Sequence, residues 1–228
     1  VERMESFTRK EIYSMLDLSF TWNSLVKGDK MMAAIQSKIG TDLIEDLPIK
    51  FTAVAADIAA EKEHWFQSGP IDQAIRASVS LPLFFTPHTV DGVQLIDGGI
   101  LNPTPIEPTL ADDTDLTVAV DLGGPMMKQV IPEPEKAQSP WHQKMDDFLE
   151  SMKFSESKPK DQWDMFYIAD QSFNTMQNAI ARERMADNPP DHLIAVPRNK
   201  CGTLEFDRSA EMIEYGYQLA EKQLSGKI

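Results

Sequence analysis

Cysteine is almost absent from this 228-residue chain. Cys201 stands alone, so no disulfide can form within the chain, and a reducing compartment fits. Basic residues are few: 22 Lys and Arg against 36 Asp and Glu leave a net charge of −14. Such a balance excludes a nucleic-acid reader, which needs cations against phosphate. It also disfavours electrostatic docking on anionic lipid, while leaving apolar contact open. No apolar run approaches the ~20 residues of a membrane-spanning helix, and no signal peptide is visible. A cytoplasmic protein is the expectation. Metal-ligand spacing is missing as well: there is no His-x-x-x-His or Cys-x-x-Cys pair, so no metal is expected. Neither a G-x-S-x-G nucleophile elbow nor a G-x-G-x-x-G loop occurs.

What remains is an ordinary globular composition, 42% hydrophobic and 25% charged, long enough for one sizeable core. From Val1 to about Leu47 the pattern is helical, with Met31, Met32, Ile35 and Ile39 on one face and Asp29 as a cap. Ile49–Asp57 reads as a buried strand and Glu63–Gln67 as its hairpin return. Gly69-Pro70 turns into a helix over Ile71–Ser78, with Ile71, Ala74 and Ile75 inward. Pro82 and Pro87 keep the residues between them out of regular helix. Val93–Ile96 is a strand ending at Asp97, and Leu116–Asp121 is another, closed by a turn at Gly123-Gly124. Gln129–Pro140 and Ser155–Asp161 read as solvated loops around an amphipathic helix carrying Trp141, Met145, Phe148, Leu149 and Met152. That helix has the character of a lid, or of a face for an acyl chain or membrane surface. A long helix over about Gln162–Met185, a strand Asp191–Pro197 and a last helix from about Asp207 complete the pattern. Strands alternating with helices predict an α/β layered fold with a mostly parallel sheet. Active sites of such folds gather beyond the carboxyl ends of strands.

Asp97 occupies that kind of place. Asp-Gly pairs commonly serve only as turns. Asp97-Gly98-Gly99 has a second reading: a carboxylate at a strand end can take the proton of a serine hydroxyl. The glycines would let backbone pass close to that serine. A carboxylate is a weak base, with an ordinary pKa of ~3.9, so burial has to raise it. Ser68, Ser78 and Ser80 sit at turns or helix ends, where hydroxyls usually bond backbone. His64, His88, His142 and His192 sit in no recognisable motif, although a Ser-His-Asp esterase would need one of them. The methionine and aromatic stripes are core faces by their helical spacing.

Several segments, in order, resemble the patatin-like phospholipase family. They are "AVAADI", "FQSGPIDQAIRASVSLPLFFTP", Asp91-Gly92 and "LIDGGILNPTP". "LVKGDKMMAAIQSKIG", "LTVAVDLGG" and the closing "DHLIAVPRNKCGTLEFDRSAEMIEYGYQLAEK" extend the similarity over nearly the whole chain. The resemblance implies a Ser–Asp dyad hydrolase of lipid acyl esters, with neither metal nor organic cofactor. Asp97 falls on the dyad aspartate (the proton acceptor), and Gly98 and Gly99 complete that motif. Asp57, Ser78 and Asn102 fall on recurrent positions read as supporting structure. The family's glycine-rich loop and its nucleophile segment should precede the part matching Val1. The expectation is therefore a partial domain over 1–228, incomplete at its N-terminus, inactive alone, and self-associating where a strand is missing. The alternative is a non-catalytic pseudo-hydrolase or interaction module that keeps the scaffold.

Overall fold

The computed structural model describes residues 28–40, 42–82, 84–127, 165–202, 205 and 208–225. The segment before Gly28, the two expected loops and the Trp141–Met152 helix lie outside the described residues. The chain divides into a larger unit, Val1–Met126 with Phe173–Ile228, and a smaller one, Met127–Ser172. Every contact below lies within the larger unit.

The elements in chain order are α1 (Asp29–Ile39), β1 (Ala53–Asp57), β2 (Lys62–Phe66), α2 (Ile71–Ser78), β3 (His88–Val90), β4 (Val93–Asp97), β5 (Val118–Gly124), α3 (Met165–Asp187), β6 (His192–Pro197) and α4 (Ser209–Leu224). Single turns of 3-10 helix cover Ile44–Asp46, Gly98–Ile100 and Glu107–Thr109. The expected α/β class holds, and the pairing within it is mixed. One sheet has the order β2-β1-β4-β3 and is antiparallel throughout, while β5 and β6 form a parallel pair. Parallel pairing is thus confined to β5–β6 among the described residues.

Tight turns account for the antiparallel part. Between β1 and β2 the chain reverses within four residues. There Asp57 Oδ1 accepts from the Ala59 and Ala60 N–H groups, both at 3.0 Å, and Glu61 takes φ 54°. Between β3 and β4 the reversal is Asp91-Gly92, with φ 50° and 82°, the left-handed pair that a two-residue hairpin demands. The first helix is capped by Gly28 rather than Asp29, which is already its first helical residue.

β1 is an inner strand of the four-stranded sheet and is nearly all alanine and valine. Ala53, Val54, Ala55 and Ala56 are buried, because both edges are paired and α2 packs close. α2 answers with Ala74 and Ala77, both fully buried, so small residues meet on both sides. Ile44, Phe66 and Leu95 complete this core. Arg76 is buried on the same helix, contrary to its charge. Its guanidinium donates to Ser80 Oγ at 2.5 Å and to Thr86 O and Oγ1 at 3.1 Å, tying α2 to the stretch before β3. β5 continues through Gly123-Gly124 instead of turning at Asp121, with an irregular register between Asp121 and Gly124. A Cβ on Gly124 would lie 2.6 Å from the Val196 carbonyl oxygen, so glycine is needed where the two strands close up.

Candidate active site

Side chains alternate faces along a strand, so Leu95 and Asp97 of β4 share one face. The register places Asp97 opposite Ala55 and Leu95 opposite Asp57. Leu95 is fully buried in the core. Two residues on, at the strand end, the core opens into a cavity. Phe51, Val54, Ile75, Ser78, Asp97 and Asn102 contribute to its walls, and its volume is about 300 Å³. The backbone of Asp97 is fixed by its N–H, which donates to Ser80 O at 3.0 Å.

The carboxylate also ends the strand chemically. Asp97 Oδ1 accepts from the Gly99 N–H at 2.8 Å and caps the turn Gly98–Ile100. Leu101 and Asn102 N–H both donate to Gly98 O, at 3.0 and 2.9 Å. Burial pushes the Asp97 carboxyl above its ordinary value, and the Gly99 N–H offsets part of that rise. A half-buried carboxylate made more basic by its surroundings suits proton acceptance.

Gly98 and Gly99 meet different demands. A Cβ on Gly98 would lie 2.2 Å from the Val54 carbonyl oxygen, in β1. A Cβ on Gly99 would lie 2.9 Å from Gln177 Nε2 of α3 and 3.1 Å from Asp97 Oδ1. The next residue of α3 repeats the arrangement at the other sheet: Asn178 Oδ1 stands over Gly123, whose N–H donates to Asp121 Oδ1 at 2.8 Å. Neighbouring side chains of one helix therefore sit over two Asp-x-Gly segments, one a turn and one within a strand.

Beside the cavity a closed polar ring holds Asn102. Its Nδ2 donates to Glu107 Oε2 at 2.9 Å and to Glu63 Oε2 at 3.2 Å. Arg184 of α3 closes the ring, reaching Glu63 Oε1 at 2.6 Å and Glu107 Oε1 at 3.0 Å. Burial alone would raise the Glu107 carboxyl. The Asn102 amide and the Arg184 guanidinium outweigh it and hold the group below its usual range. Such a carboxylate stabilises the fold above its unfolded pKa, and that stability is lost as pH falls through the lower folded value. Arg184→Met is expected to cost about 1–2 kcal/mol at pH 7, allowing for partial exposure of the pair. Urea titrations should show the gap between the two proteins narrowing below about pH 4.5, the ordinary Glu value. A gap unchanged down to pH 3 would remove the ring from the account of stability.

Of the other residues singled out from sequence, Ser78 lines the Asp97 cavity and Asp57 caps a hairpin turn. Ser80 Oγ donates to Arg76 O at 2.7 Å, a helix-end bond of the expected kind. Among the described residues, no histidine lines the Asp97 cavity. His64 packs on Phe66, with ring centroids 4.4 Å apart. His88 lines a different cavity with Asp72 and Arg76, and burial together with the Arg76 charge lowers its pKa. His192 begins β6, and His142 lies outside the described residues. Among the described residues no group of three His, Cys, Asp or Glu could hold a metal ion, and no helix is long and apolar enough to cross a membrane. The Glu63–Asn102–Glu107–Arg184 ring was missed from sequence. Asn102, read from sequence only as supporting structure, was its one visible trace.

Comparison with known proteins gives the family. The patatin-like phospholipase family model matches residues 2–110. An uncharacterised NTE family protein of Mycobacterium tuberculosis is 31% identical over 270 residues, covering 96% of this chain and 75% of the relative. A patatin-like phospholipase domain-containing protein of Caenorhabditis elegans is 30% identical over 122 residues, 53% of this chain and 9% of its own length. Patatin-like phospholipase domain-containing protein 7 of Rattus norvegicus is 28% identical over 114 residues, 49% of this chain and 8% of its own. A strand-end Asp-Gly-Gly beside a cavity, and a relative that matches along nearly the entire chain, lead to one assignment: the chain belongs to the patatin-like phospholipase family.

Proposed function

We propose that the chain forms the aspartate-bearing part of a lipid acyl-ester hydrolase working through a Ser–Asp dyad. Asp97 accepts the proton of a serine as that serine attacks the ester carbonyl. It returns the proton to the departing alcohol, then activates the water that releases the acid. Backbone N–H groups hold the developing oxyanion. The observation that carries the reading is a half-buried Asp97, raised in basicity by burial, at a strand end that opens into a cavity of about 300 Å³. The partly apolar walls, including Phe51, Val54 and Ile75, suit an acyl chain.

The nucleophile lies outside these 228 residues, since no G-x-S-x-G occurs among them. The chain alone is then inactive, and contact with a lipid surface belongs to the complete protein. Fluorophosphonate labelling tests the assignment. The complete gene product should label on a serine outside the chain, and the isolated chain should not label. Labelling of the isolated chain at Ser78, the serine on the Asp97 cavity wall, would overturn it. Failure of the complete product to label would favour the non-catalytic scaffold.

A further inference from the structure

Residue 99 is glycine for space rather than for backbone conformation. The left-handed glycines among the described residues are Gly28, Gly40, Gly69 and Gly92, and Gly99 is not one of them. A side chain there would first meet Gln177 Nε2, at 2.9 Å, and Asp97 Oδ1, at 3.1 Å. With glycine in place no side chain comes between these two polar atoms. They stand no more than about 6 Å apart, a gap that one oxygen can span with two hydrogen bonds. An ionised carboxylate only accepts, so the amide presents its N–H end to Asp97. That amide is uncommitted. It makes no hydrogen bond among the described residues, and Asp97 Oδ1 is bonded to the Gly99 N–H instead. Gln177 is half-buried, and neither of its polar atoms is among the sealed ones that lack a partner, so both remain accessible. Its place on α3 is fixed two turns further on, where Arg184 binds Glu63 and Glu107.

Asp97 returns its proton to the departing alcohol, so the alcohol oxygen has to come within hydrogen-bond reach of that carboxylate. A free N–H across an open gap from the same carboxylate can reach the same oxygen. We propose that Gln177 is a catalytic residue that donates a hydrogen bond to the leaving oxygen, fitting the site to esters of unactivated aliphatic alcohols. As the C–O bond of the tetrahedral adduct breaks, its electron pair goes to the alcohol oxygen. The proton comes from Asp97. The Gln177 N–H keeps its own proton and stabilises the negative charge that gathers on the oxygen before the transfer is complete. An alcohol that is already stable as an anion needs no such help. This inference rests on the Ser–Asp reading above and adds the alcohol side of the substrate to it.

The test varies the leaving group and keeps the acyl group. Ethyl butyrate and p-nitrophenyl butyrate give the same butyryl-enzyme, so their kcat/KM values differ only through acylation. Ethoxide is a strong base and p-nitrophenolate a weak one. The complete gene product is given both esters in one solution, and ethanol is measured against p-nitrophenolate. Gln177→Met keeps the length of the side chain and removes the amide. It should lower the ethyl to p-nitrophenyl ratio of kcat/KM about tenfold, the size of one hydrogen bond. The ratio counts only active molecules, so partial misfolding does not disturb it. Gln177→Leu gives the same comparison if the methionine variant does not accumulate. Asn178→Ala, one residue along α3, should leave the ratio within about twofold. An unchanged ratio in the Gln177 variants, with turnover still dependent on Asp97, would overturn this inference alone. So would an equal fall in Asn178→Ala, which would assign the effect to the seating of α3 and not to the amide. Absence of any Asp97-dependent turnover in the complete product would overturn the Ser–Asp reading and this inference with it.

Discussion

Asp97→Asn should lower turnover of the complete protein by about a thousandfold while making the fold more stable at neutral pH. The loss follows from removing the proton acceptor, a role whose contribution is usually about a hundredfold to ten-thousandfold. The gain follows from burial. The folded protein holds the Asp97 carboxyl above its ordinary value of 3.8, so the ionised form is disfavoured in the fold. Between the unfolded and folded values the native state binds more protons, and stability falls as pH rises through that window. Asparagine is never charged, and its Oδ1 can still accept the Gly99 N–H. The variant should therefore melt above the wild type at pH 7, and the difference should disappear as pH falls below about 3.8, where both side chains are neutral. Turnover of p-nitrophenyl esters and melting curves from pH 3 to 8 check both halves. Unimpaired turnover, or a variant that melts lower at every pH, would contradict the account. The wild-type rate should also fall on acidification at a pH above the ordinary aspartate range, because protonated Asp97 cannot accept.

Gly98→Ala should be the most damaging single methyl group that can be added near the site. Its Cβ would lie 2.2 Å from the Val54 carbonyl oxygen and 2.6 Å from the carbonyl carbon. β1 cannot move aside, because Val54 pairs with Trp65 of β2 and β1 is also bonded to β4. A loss of about 3 kcal/mol or more is expected, at or beyond the upper end for overpacking. Soluble yield should collapse with it. Gly99→Ala is the informative contrast. There the added methyl meets the tip of Gln177, at 2.9 Å, and the Asp97 carboxylate at 3.1 Å. The first can swing away and the second cannot move without leaving its cap. The Gly99 variant should therefore fold, melt within a few degrees of wild type, and turn over slowly because Asp97 is displaced. Equal melting temperatures for the two variants would show that the close approach at Gly98 is not what requires glycine.

Much of this site follows from local pattern. Ile71–Ser78 is a helix over the same residues in sequence and structure, because Gly69-Pro70 opens it and the apolar spacing is helical. The strands around Ala53–Asp57 and Val93–Asp97 are legible as short apolar runs, and so is the placing of Asp97 at a strand end. Strand direction is misleading in sequence: a continuous apolar run usually marks a parallel strand, but β1 is such a run and pairs antiparallel on both sides. β3 has three residues just after Pro87, too few for a period to show. Arg76 reads as a solvent-facing charge until its partners, Ser80 and Thr86, are seen to fold back on it. The ring around Asn102 is the furthest from reach. Arg184 and Glu107 are 77 positions apart, and such a pairing leaves no local mark.

The long third helix grips the molecule at two points seven positions apart. Gln177 rests over Gly99, and Arg184 binds Glu63 and Glu107. Seven residues are close to two full helical turns, so both side chains emerge on one side. Adding or deleting a single residue between them would swing one grip about 100° away from the other. Homologous genes should therefore keep the spacing from Gln177 to Arg184 constant in length, even where they vary freely in composition along the outward side of that stretch.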